Sequence, residues 1–111
     1  MLNVLGKKIY LTRGDTAYIS VSLKDASGGD YVPAPEDKLY FRVKKSAIKG
    51  ELLLEKEINI ETLVLELIPE DTEKLEFETY CYEIELVTGL GQHFTVIENA
   101  SFTIGAELED H

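Results

Sequence analysis

Leu63-Val64-Leu65-Glu66-Leu67, then Pro69-Glu70-Asp71-Thr72, then Tyr80-Cys81-Tyr82-Glu83-Ile84-Glu85-Leu86 is the stretch whose reading decides the fold. Two runs with the two-residue period of a half-buried strand flank a short acidic turn opened by proline. Proline suits an early helical position, and Glu70 and Asp71 suit the positive end of the helix dipole, so one helical turn is expected from Pro69 to Leu75. A tyrosine then begins the second run. A β-sandwich crosses from one sheet to the other in this way, and Tyr80 is placed to form a tyrosine corner, its hydroxyl bonding backbone a few residues upstream.

Working outward, Ile9-Tyr10-Leu11-Thr12 reads as a short strand stopped by Arg13-Gly14-Asp15. From Ala17 to Leu23 the alternation is strict and puts Ala17, Ile19, Val21 and Leu23 on one face. A long loop from Asp25 to Asp37 follows, rich in Gly and Pro. Leu39, Phe41 and Val43 then face inward and Tyr40, Arg42 and Lys44 outward, before a turn over Ser46 to Gly50. Leu52 to Ile58 carries Glu55-Lys56-Glu57, a charged end suited to a sheet edge. Gly89-Leu90-Gly91 turns the chain into a last strand, Gln92 to Ile97 and Ser101 to Ile104, with a bulge expected near Glu98-Asn99.

The expectation is therefore an all-β fold, an antiparallel two-sheet immunoglobulin-like sandwich of seven strands, or eight if the last one splits. Residues 1–111 form a single domain, with 105–111 an acidic, mobile tail. The core is expected to hold Ile19, Val21, Leu39, Phe41, Val43, Leu65, Tyr82, Ile84 and Phe94.

Composition narrows the function classes. The net charge of −10 disfavours nucleic acid as a partner. Apolar runs as short as Leu52-Leu53-Leu54 are no membrane span. The start, Met1 to Lys8, has neither a basic n-region nor an apolar stretch of signal-peptide length, so synthesis and retention in the cytoplasm are expected, or exit by a route other than ordinary secretion. The single cysteine, Cys81, forms no internal disulfide.

Candidate chemical motifs each meet a simpler reading. Arg13-Gly14-Asp15 spells the tripeptide of integrin-binding sites, but between two strands Gly and Asp are turn residues. Asp25, Ser27, Gly29 and Glu36 have calcium-loop spacing, yet position six is Asp30 where that loop needs Gly. Cys81 alternates with glutamates, which disfavour a thiolate. Glu83/Glu85 and Glu55/Glu57 are carboxylate pairs on strand faces, without a surrounding pocket signature. His93 reads as a surface residue. No catalytic residue, no cofactor and no metal site is assigned.

Leu67 to Cys81 looks like the stretch before the last cysteine of immunoglobulin variable domains. Ala17 to Leu23 holds no second cysteine, however, and the chain has no tryptophan, so this is not an antibody-type domain. More of the chain, namely Thr12-Arg13-Gly14-Asp15-Thr16, Asp25-Ala26-Ser27-Gly28, Phe41-Arg42-Val43-Lys44, Pro69-Glu70-Asp71-Thr72 with Leu75, and Tyr80-x-Tyr82-Glu83-Ile84, resembles small immunoglobulin-like domains of phage and prophage tails, such as the N-terminal domain of upper baseplate proteins. That resemblance implies a non-enzymatic structural adaptor, made in the cytoplasm and built into the virion, whose partners are other virion proteins or copies of itself. The alternative is a cell-surface adhesion or carbohydrate-binding module, disfavoured by the missing export signal and by the lack of Trp for sugar stacking.

Charge supplies candidate interaction residues. Residues 1–50 carry nine Lys/Arg against five Asp/Glu, and residues 51–111 carry two against sixteen. Lys38, Arg42, Lys44, Lys45 and Lys49 cluster on one strand and its turn, while Glu51, Glu55, Glu57, Glu83 and Glu85 lie on later strands. If the two sets occupied different faces, copies could stack head to tail and close into a ring.

Overall fold

The computed structural model describes residues 8–24, 27–45 and 51–105, with the backbone alone for 97–99. Its elements are β1 (Ile9–Thr12), β2 (Ala17–Ser20), β3 (Lys38–Lys44), β4 (Leu52–Ile58), β5 (Val64–Leu67), the single helical turn α1 (Pro69–Thr72), β6 (Thr79–Val87) and β7 (His93–Gly105). Five strands form one sheet in the order β1-β7-β6-β3-β4, and β2 and β5 form a second. Seven strands are found among the described residues, and the last of them, β7, runs unsplit.

Alternation explains why one core serves both sheets. Leu39, Phe41 and Val43 of β3 point the same way as Tyr82, Ile84 and Leu86 of β6, because Phe41 lies opposite Ile84 in antiparallel register. They meet Leu65 and Leu67 of β5 and Val21 and Leu23 beyond β2 in one buried cluster. Phe41 is fully buried, with ring centroids 5.3 Å from Tyr82 and 5.6 Å from Phe102. Burying one such side chain contributes about 1.5–3 kcal/mol. Ile19 and Phe94, expected at the centre, are half-buried and pack on its margin.

Three expectations are corrected. The large sheet is mixed, since β1 runs parallel to β7, from Ile9 opposite Phe102 to Thr12 opposite Gly105. Parallel neighbours need a long connection, and here nearly the whole domain lies between the two strands. After Thr12 the chain turns and enters the other sheet, so β1 never forms a hairpin with its neighbour. Second, the strand read as Ala17 to Leu23 pairs only to Ser20. Val21 still donates to the Leu63 carbonyl at 2.8 Å, but the Leu23 carbonyl is taken by the Tyr31 N–H of its own loop at 3.0 Å. Third, Gly105 is no part of a tail; it is buried at the end of β7. Residues 106–111, Asp25, Lys49 and the turn of residues 46–50 lie outside the described residues. The bulge near Glu98-Asn99 is present: two residues of β6, from Tyr82 to Ile84, span the interval from Ala100 to Ile97.

The corners are tied by specific bonds. Gly14 takes φ +89° in the Thr12–Asp15 turn, which the Asp15 N–H closes on the Thr12 carbonyl at 3.1 Å. The Gly14 N–H then reaches the buried Thr72 hydroxyl at 3.1 Å, docking this turn on α1. At the opposite end, buried Asp37 accepts from the Ala34 N–H at 2.9 Å, the Gly89 N–H at 3.2 Å and the Tyr31 hydroxyl at 3.3 Å. One carboxylate thus holds the loop before β3 to the β6–β7 hairpin. Burial, followed by the Asp37 charge, raises the Tyr31 pKa above its ordinary value.

Candidate interaction surface

The outward residues of the large sheet form a ladder of charge. Arg42 on β3 lies opposite Glu55 on β4 and Glu83 on β6. Its Nε donates to Glu55 Oε2 at 2.6 Å, and its Nη1 donates to Glu85 Oε1 at 2.8 Å, one step diagonally along β6. Lys44 Nζ reaches Glu83 Oε1 at 2.8 Å, and His93 Nδ1 lies 3.4 Å from Glu85 Oε2. The Arg42 guanidinium also sits 5.0 Å from the centroid of the Tyr40 ring. The chain Glu55–Arg42–Glu85–His93 therefore crosses four adjacent strands.

Mutual bonding explains the titration of these groups. Hydrogen bonds to Glu55 and then Glu85 raise the Arg42 pKa against the opposing effect of burial. The hydrogen bond from Arg42 holds Glu85 below the ordinary carboxylate range, again against burial.

This geometry removes the premise of stacking by opposite faces. Arg42 and Lys44 share one face with Glu55, Glu83 and Glu85 and pair with them. The reason is register: β3 lies between β4 and β6, so a basic strand is flanked by two acidic ones. Lys38, Lys45, Glu51 and Glu57 are exposed around this ladder, and Lys49 lies outside the described residues.

With those pairs made, most of the surplus acid runs from Glu57 at the margin of this face toward β5 and α1. Glu57, Glu61, Glu66, Glu70, Glu73 and Glu76 are exposed along β4, the turn to β5, β5 itself, α1 and the corner after it. On that side, Tyr18, Lys56, Glu57, Thr62, Val64 and Glu66 line an open hollow of about 400 Å³. Tyr18 is 69% exposed and lies opposite Glu66 in the β2–β5 pair. Lys56 is inward-facing, since it pairs with Phe41 in register, and its Nζ is engaged by Asp71 Oδ2 of α1 at 2.8 Å. Sequence reasoning missed this hollow. It arises where two sheet edges diverge, which no local pattern encodes.

The remaining motifs resolve into local structure. Arg13 lies 4.1 Å over the Phe77 ring and donates to the Leu75 carbonyl at 3.3 Å, so the Arg-Gly-Asp turn is anchored to the corner after α1. Asp30, which stands where a calcium loop needs Gly, pairs with Lys24, and Asp25, the first residue of that spacing, lies outside the described residues. Cys81 is half-buried on the outer face, six residues along β6 from Val87, the register partner of His93. That spacing is about 20 Å of extended chain, beyond a contact between Cys81 and His93. Glu83 and Glu85 each hold a cation. Among the described residues no group of three metal-ligating side chains comes together, and no helix is long and apolar enough to cross a membrane. No protein-family model matches the chain, and no curated protein or solved structure matches it.

Proposed function

We propose that this chain is a non-enzymatic structural adaptor of a phage or prophage tail, an immunoglobulin-like sandwich that joins other virion proteins by protein–protein contact. The observation that carries the reading is the clasp made by Tyr80. Its hydroxyl binds the backbone of Glu76 at the corner between α1 and β6, where an immunoglobulin-type sandwich has its tyrosine corner. The order β7-β6-β3 beside a second sheet containing β2 and β5 accords with the same topology, and β1 alongside β7 is the departure from a purely antiparallel one. The sequence resemblance to tail domains supplies the virion context. The polar outer faces, spent largely on ion pairs within the chain, suit a module that holds shape and offers surface.

Mass spectrometry of purified particles tests this reading, using cells that carry the gene and its neighbours. The chain is expected in the particle fraction at a fixed ratio to tail proteins. Its recovery in the soluble lysate alone, with tails intact, overturns the proposal.

A further inference from the structure

Among the described residues β5 (Val64–Leu67) is paired as a strand with β2 on one side only. On its other side it touches β4 at the single Asn59–Val64 bridge, after which the two strands part. β4 is itself the last strand of the large sheet. Two strand edges without a further strand partner among the described residues therefore face one seam, and the 400 Å³ hollow lies along it. Free edges of this kind are templates for an added strand, and proteins usually blunt them with lysine, proline or a bulge. Val64-Leu65-Glu66-Leu67 carries no lysine, proline or bulge, and only its four-residue length and the charge of Glu66 guard the edge.

We propose that this seam takes an extended, basic segment of a partner protein, which adds a strand to the free edge of β5. The proposal rests on the adaptor reading for the partner being a protein, and it names the mode of contact. Backbone bonds would hold the segment, and its alternate side chains would be read on two faces. Leu65 and Leu67 point into the core and Val64 and Glu66 outward, so inward positions of the segment meet apolar surface. Its outward positions lie beside Glu66, Glu57 and the exposed Tyr18 ring, all of which favour Lys or Arg. Lys56 does not oppose this, because Asp71 already holds its charge. A second copy of the chain is the poorer occupant. Antiparallel pairing of β5 with itself brings acidic edges together in a protein of net charge −10.

The test uses the intact protein and a ten-residue peptide of alternating valine and lysine, followed by NMR and amide exchange at low salt. Slowed exchange within Val64–Leu67 and shifts at Tyr18 and Thr62 are expected. Binding should weaken roughly tenfold for the E57K/E66K double variant, which keeps a dispersed spectrum, and should fade as salt screens the carboxylates. A peptide with two central valines replaced by proline should not protect β5. Equal binding by the proline peptide overturns the proposal, since charge alone would then explain it. So do shifts confined to the Arg42 face, or β5 protection in the free protein through dimers. Tyr18 shifts with neutral oligosaccharides but not with the peptide would assign the hollow to sugar instead. Failure here leaves the adaptor reading intact if the chain is found in particles, whereas absence from particles removes that reading whatever β5 binds.

Discussion

The hydroxyl of Tyr80 accepts the backbone N–H of Glu76 at 2.8 Å and donates to the carbonyl of the same residue at 3.1 Å. One side chain thus satisfies both polar groups of a residue at the corner, where no strand neighbour is available to do so. Its ring is buried, and burial is the main reason its pKa lies above the ordinary tyrosine value.

Tyr80→Phe keeps the ring and removes both bonds. The variant is expected to fold and to lose roughly 0.5–1.5 kcal/mol in urea unfolding. Unchanged stability would mean that water replaces the hydroxyl at no cost, and the corner would then be no anchor.

Phe41→Ala tests the shared core. The ring is fully buried between Tyr82 and Phe102, so its removal leaves a cavity in the contact of three strands. A loss of about 3–5 kcal/mol is expected at an unchanged denaturant slope. Ile19→Ala, at the margin of the same cluster, should cost clearly less.

How much of this was legible in the sequence depends on the range of each contact. The inward set Leu39, Phe41, Val43, Tyr82 and Ile84 followed from alternation, and the α1 turn followed from Pro69 and its acidic neighbours. Tyr80 was legible because the corner spans only four residues. Val21 and Leu23 show the limit of such reading, because alternation reports which side is buried and not which backbone is paired. The parallel β1–β7 pair was not legible, since an edge strand alternates in the same way beside either kind of neighbour. Nor was the fate of the charges. Arg42 and Glu85 are 43 residues apart, and only the register of β3 on β6 brings them together.

Asp37→Ala should loosen one end of the domain. Three donors, from Ala34, Gly89 and Tyr31, converge on this buried carboxylate. Leaving them unpartnered is expected to cost about 1–3 kcal/mol. Faster amide exchange should appear at Ala34 and Gly89 first, with β5 and α1 unaffected. Uniform acceleration throughout would show that Asp37 supports the whole fold and not that junction.

A Cβ at Gly105 would overlap the hydroxyl end of Tyr10, which crosses from β1 over the last residue of β7. That side chain is 69% exposed, so it can swing into solvent and relieve the conflict cheaply. Gly105→Ala should therefore change stability by no more than about 0.5 kcal/mol in urea unfolding. A loss several times larger that persists in the double variant with Tyr10→Ala would place the cause in the backbone and not in the Tyr10 contact.

Arg42 and Glu85 provide a test in which pH sets the sign. The pair is part-buried at 22% and 21% side-chain exposure, so a double-mutant cycle with Arg42→Gln and Glu85→Gln should give coupling of roughly 0.5–1 kcal/mol at neutral pH. Glu85 in the folded chain lies below its ordinary 4.5, chiefly through the Arg42 bond. The unfolded chain therefore takes up a proton at this site first as pH falls, and across the window in which only the folded carboxylate stays ionised each drop in pH favours unfolding. The stabilisation is fully present above the ordinary value and disappears as pH drops through the depressed one. Wild type should accordingly exceed Glu85→Gln in stability at neutral pH and converge with it in acid. Salt should reduce the difference only modestly, because the pair is partly shielded from solvent. A gap that persists unchanged to low pH would assign the effect to the terminal amide of the variant, since glutamine keeps the Glu85 stem, and the ladder across the sheet would then owe little to charge.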